Sequence, residues 1–122
     1  MTTKLDLRAN LDLASFDSTS EIEKFQNQTL RPILKLQNDI YMALFKAYSV
    51  RQKTDFDSLT KDKKRIFIEQ SLQKDIALKN TFLGITVGMF ISEELENYIL
   101  DSKEYNRRII TMLMERIKSQ LI

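Results

Sequence analysis

The stretch LRPILKLQNDIYMALFKAYSVR, Leu30 to Arg51, decides the fold. Leu30, Ile33, Leu34, Ile40, Tyr41, Leu44, Phe45 and Tyr48 recur at three- and four-residue intervals, the spacing that lines one face of an α-helix. Lys35, Asp39 and Lys46 fall opposite, with Lys35 and Asp39 one turn apart and spaced for an ion pair. Pro32 suits the first turn, where its missing N–H has no helical acceptor to lose. A helix with one apolar face needs other helices to cover it, and the rest of the chain supplies them.

Upstream, Ser18 with Glu21 and Ser20 with Glu23 have capping-box spacing, which predicts a short helix to about Gln28. Downstream, polar Lys53 to Ser58 ends the long helix. Asp57, Ser58 or Thr60 then caps a helix to about Lys74 that buries Ile66, Phe67, Ile68 and Leu72. Asp75 to Ile91 is the most apolar segment. Its β-branched Ile85, Thr86 and Val87 leave a strand open for part of it, and it could run on from the preceding helix. A helix is preferred, because Ala77, Thr81, Gly84 and Gly88 then stack into a small-residue stripe opposite Asp75, Lys79 and Thr86. Ser92 with Glu93 and Glu94 opens a further helix with Leu95, Tyr98 and Ile99 inward. Asp101 or Ser102 caps a terminal helix that buries Ile109, Ile110, Leu113, Met114, Ile117 and Leu121. The expected fold is all-α, a compact bundle of five or six helices, with residues 18–122 as one domain.

Residues 1–17 read differently. Leu5-Asp6-Leu7 recurs as Leu11-Asp12-Leu13, and Phe16 follows. This predicts an extended N-terminal arm laying Leu7, Leu11, Leu13 and Phe16 over a groove of the domain or of a second copy. A frayed terminus is the plainer alternative.

Composition agrees with helices and excludes much chemistry. Two glycines and one proline in 122 residues are too few for the tight turns of a sandwich or barrel. The chain has no histidine and no cysteine, so Ser-His-Asp and Cys-His catalysis, zinc fingers and disulfides are all excluded. A ferritin-like di-metal site, which needs Glu-x-x-His, is excluded too. Nineteen basic against seventeen acidic residues give a net charge of +2, too small an excess to imply nucleic acid or an anionic membrane. The longest uncharged stretch, residues 80–92, is shorter than the roughly 20 residues a membrane helix requires. Met1 to Asn10 lacks the apolar run of a secretory signal, and with no cysteine the expected location is cytoplasmic.

The remaining features are weak motifs. Gly84-x-x-x-Gly88 lacks the lysine and hydroxyl of a phosphate loop, so with Ala77 and Thr81 it reads as a helix-packing surface. Gln37 and Asn106 fall in the middle of apolar stripes, where a buried amide needs partners. With Asn80 they are candidates for a polar interhelical pocket. Arg31, Lys35 and Asn38 form a third group: if Lys35 pairs with Asp39, Arg31 is left beside Asn38 to receive an anion or a partner carboxylate. Lys61-Asp-Lys-Lys-Arg65 is the densest basic run, but its charges point all around a helix and no helix-turn-helix signature accompanies it. Glu93-Glu94-x-Glu96 is the tightest acidic cluster, and it suits a helix start.

The segments Gln28 to Asn38 and Lys74 to Phe90, followed by Asn106-Arg107-Arg108, resemble a family of short, all-helical bacterial proteins of unassigned function, some of which carry the name glyoxalase. The likeness covers most of the chain beyond residue 24. It implies a small helical protein and brings no active site with it. Glyoxalase-type lyases bind a divalent metal through histidine and glutamate on βαβββ modules, and this chain has no histidine.

The residues together predict a non-enzymatic helical interaction module that forms a homodimer, an unidentified protein being the other partner considered, with no catalytic residue, metal or cofactor assigned. The alternative is a binder of a small anionic metabolite, or a weak enzyme, using Arg31, Lys35, Gln37, Asn38, Asn80 and Asn106 around an interhelical pocket.

Overall fold

A computed structural model describes residues 21–122; the arm of residues 1–17 and the capping hydroxyls of Ser18 and Ser20 lie outside the described residues. Among the described residues every regular element is helical. Helix α1 (Glu21–Phe25) runs through a π-helical turn (Gln26–Leu30) into α2 (Arg31–Leu36) without a break. No new helix begins at Pro32, since Leu30 and Arg31 both hold right-handed helical angles. A proline ring inside a helix crowds the carbonyl four residues back, here that of Gln28. The chain widens over that stretch, and the Arg31 N–H donates to the Gln26 carbonyl five residues back.

The long helix expected from Leu30 to Arg51 is also interrupted. Gln37 leaves helical geometry at φ −95° and ψ 12°, and α3 (Asn38–Arg51) starts beyond it. On either side of it Leu36 and Ile40 are exposed while Leu34, Tyr41 and Phe45 are buried. The Lys35–Asp39 ion pair is not formed among the described residues. Beyond Arg51 the chain turns away from α3 at Lys53, whose φ of 55° is left-handed. The Lys53 and Thr54 N–H groups donate to the Val50 and Ser49 carbonyls, covering two of the carbonyls a helix end leaves free.

A short 3-10 turn (Phe56–Ser58) brings the Phe56 ring within 5.9 Å of both Phe45 and Phe67. Of the three candidate caps, Thr60 starts α4 (Lys61–Lys74), its hydroxyl accepting the Lys63 N–H at 3.2 Å. Ile68 and Leu72 are fully buried and Ile66 is exposed, because consecutive residues 66, 67 and 68 cannot all face one side of a helix. Asp75 divides α4 from α5 (Ile76–Val87): its backbone is extended and its carboxylate accepts the Leu78 N–H at 3.0 Å. The two helices are therefore separate, and Ile85 to Val87 are helical rather than strand.

Helices α6 (Ser92–Leu100) and α7 (Ser102–Leu121) complete six helical bodies among the described residues, counting α1 to α2 as one. Helix α7 packs against α4, α5 and α6. One core joins all of them, with Ile33, Phe45, Ile68, Phe82, Ile109 and Leu113 among its members. No helix among the described residues is long and apolar enough to cross a membrane.

Candidate functional site

The six residues expected to share one pocket are distributed over several places. Arg31 and Lys35, one turn apart on α2, line a groove of about 760 Å³ against α7. Asn38 stands beside that groove through its partners. Its side-chain oxygen accepts from Arg116 at 3.1 Å and from Gln120 at 2.6 Å, and its N–H donates back to Gln120 at 2.9 Å. Asn106 lies in a different groove and accepts a hydrogen bond from the Tyr98 hydroxyl. Gln37 occupies the bend between α2 and α3, and Asn80 is exposed on α5; neither lines either groove.

Sequence reasoning missed Arg116. It lies on the opposite wall of the first groove, facing Arg31 and Lys35 across a floor of Leu34 and Met112. Met112, Glu115, Arg116 and Ser119 fall at i, i+3, i+4 and i+7, one α7 face beside the buried Leu113–Ile117 stripe, so their clustering was readable from spacing. Gln26, supplied by the π turn, completes the rim, and its side-chain oxygen accepts from Arg108 at 3.0 Å.

The second groove, about 770 Å³, has an apolar floor of Ile22, Leu72, Leu83, Ile110 and Met114. Lys79, Asp101, Lys103 and Arg107 ring it. Glu104 at its edge is held near pKa 2, chiefly by hydrogen bonding to Arg107 and also by Arg108. Its contacts with Arg107 and Arg108 are 2.6 and 3.2 Å.

Among the described residues, the small-residue stripe on α5 is exposed along its length. Ala77 and Thr81 border a cleft of about 220 Å³ beside Leu44, Tyr48 and Gln52 of α3's end. Gly84 and Gly88 are exposed, and a Cβ at Gly84 would meet nothing within 4 Å. Thr86, expected on the polar side, is fully buried instead and sits 2.7 Å from the Tyr41 hydroxyl. Burial pushes the Tyr41 hydroxyl up to about pKa 12 against the opposing effects of Thr86 and Arg116.

The basic run on α4 is dispersed. Lys64 lies over the Phe56 ring and Arg65 pairs with Asp62. Of the acidic cluster, Glu94 is structural: one carboxylate oxygen accepts from the Thr29 hydroxyl at 3.0 Å and the other from the Ile91 N–H at 2.9 Å. Ile91, not Ser92, is therefore the residue before the first turn of α6. No group of three or more acidic side chains placed to hold a metal occurs among the described residues.

Compared with protein families, with curated proteins and with solved structures, the chain has no significant match in any of the three.

Proposed function

We propose that the protein is a helical interaction module that pairs with a second copy of itself through α6. The observation that carries this reading is the helix itself. None of its residues is buried, and it points Leu95, Ile99 and Leu100 outward at 39%, 65% and 83% exposure. Leaving such side chains in water forgoes roughly 25 cal/mol for each Å² that a partner could cover.

The orientation is imposed, not incidental. Glu94 and Tyr98 lie one turn apart, and their bonds to Thr29, Ile91 and Asn106 hold that face inward. Leu95 and Ile99, on the next strip of the helix, are thereby turned out, contrary to the apolar pattern that places them inside. Leu100 immediately precedes Asp101, which lines the apolar second groove, so ridge and groove lie side by side. A two-fold pair could exchange ridge for groove in both directions, the arrangement an isologous dimer requires.

Sedimentation velocity tests this. The full chain is expected to sediment as a dimer, and Ile99→Lys as a monomer with an unchanged circular dichroism spectrum. A wild-type chain that remains monomeric at its highest attainable concentration would refute the proposal.

A further inference from the structure

We infer that the groove between the α1–α2 helix and α7 binds the phosphate group of a small hydroxylated molecule. Three cationic side chains, Arg31, Lys35 and Arg116, line it from two helices, against one lining carboxylate, Glu115. Among the described residues the Arg31 and Lys35 side chains have neither an ion pair nor a hydrogen bond, and Glu115 leans toward Lys118 at 3.5 Å. Like charges one turn apart repel, and a phosphate dianion relieves that repulsion while accepting several charge-assisted hydrogen bonds.

Two features mark the groove as organised. Asn38, itself held by two hydrogen bonds to Gln120, accepts from one Arg116 nitrogen and fixes its guanidinium, leaving the other N–H groups for a ligand. Independently, the π turn aligns Gln26 with Arg31. Five residues apart in an α-helix they would diverge by about 140°; with a hydrogen bond spanning five residues they come onto one face. Helical π segments are rare and concentrate at functional sites. Because Arg108 occupies the Gln26 oxygen, its amide N–H groups remain as donors.

The rest of the groove specifies the body of the ligand. Thr111 and Ser119 spend their protons on the Arg107 and Arg116 carbonyls, which leaves each hydroxyl as an acceptor. Acceptors beside an apolar floor of Leu34 and Met112 suit a molecule that carries its own hydroxyl groups.

The test is an NMR titration of the ¹⁵N-labelled full chain at low ionic strength, where screening is weakest. Inorganic phosphate is expected to shift amides in residues 26–38 and 111–119, and chloride at matched ionic strength is not. Ribose 5-phosphate should bind more tightly than phosphate, and ribose should not bind. Arg31→Gln and Arg116→Gln should each weaken binding about tenfold, and Asn38→Ala less, with unchanged circular dichroism. Equal shifts with chloride, or full affinity in both arginine variants, would overturn the site. Equal affinity for phosphate and ribose 5-phosphate would overturn the hydroxylated ligand.

Discussion

Replacing Thr86 by valine should expose the most consequential polar contact in the core. Tyr41 and Thr86 are both fully buried, with their hydroxyl oxygens 2.7 Å apart. The Thr86 proton is committed to the Phe82 carbonyl at 2.9 Å, so Tyr41 is the donor in the pair. Thr86→Val keeps the shape and removes the acceptor, leaving a buried donor unpaired at a cost of about 2 kcal/mol. Tyr41→Phe deletes that donor and leaves Thr86 bonded to Phe82, costing about 1 kcal/mol. Adding Thr86→Val to Tyr41→Phe should then be nearly neutral, so the cycle is strongly non-additive. Thermal unfolding followed by circular dichroism reads this directly, at about 4 °C per kcal/mol for a domain of this size. The same pair predicts alkaline behaviour. The folded hydroxyl titrates at about 12 against 10.0 when unfolded, so the folded state retains its proton longer. Stability is therefore level below pH 10 and falls by about 3 kcal/mol as pH rises toward 12, because the unfolded chain ionises this hydroxyl first. Tyr41→Phe should flatten that part of the alkaline fall. Strict additivity in the cycle, or an unchanged alkaline limb in Tyr41→Phe, would refute the reasoning.

Other substitutions test other parts of the fold. Lys53 holds a left-handed φ of 55° where glycine is free of steric cost, so Lys53→Gly should stabilise by about 0.5 kcal/mol in urea unfolding. Gly84→Ala should add about 1 kcal/mol, since the site is helical and open. Gly88→Ala should gain less, because its Cβ would lie 3.0 Å from the Gly84 carbonyl. A destabilised Gly84→Ala would mean that something packs on the stripe in solution. Glu104, held near pKa 2 by Arg107 and Arg108, contributes stability that is present above pH 4.5 and lost as pH falls toward 2. Glu104→Gln should therefore reduce the acid-side slope of stability, measured by unfolding between pH 5 and 2.

Helix positions were legible where apolar spacing was clear, with the expected side-chain cap formed at α4 and not at α7, where neither Asp101 nor Ser102 supplies one. Thr60 with Ile68 and Leu72 placed α4, and the terminal stripe Ile109, Leu113 and Ile117 placed α7. What periodicity does not encode is the rotation a helix adopts when a polar bond outweighs its apolar strip. Glu94 reads in the sequence as a helix-start charge, yet its two hydrogen bonds fix the face that α6 turns inward. The candidate site was half legible for a related reason. Arg31 and Lys35 announce themselves on one helix, whereas Arg116 joins them only through tertiary packing across 81 residues of chain, from 35 to 116. Gln37 marks the opposite case: an amide in the middle of an apolar stripe looked like a buried ligand group and proved to be the point where the helix bends.

The π turn ties these observations together. Phe25 and Leu30 are both buried, although at five residues apart a regular α-helix would point them about 140° away from each other. The wide turn brings both onto the core, and by the same rotation sets Gln26 beside Arg31 on the groove. Pro32 supplies a local reason for the widening, because its ring is incompatible with a tight turn beneath it. A single proline thus phases the core contacts of the first helix and the cationic wall of the groove at once. Neither consequence can be read from a wheel drawn at a uniform 3.6 residues per turn.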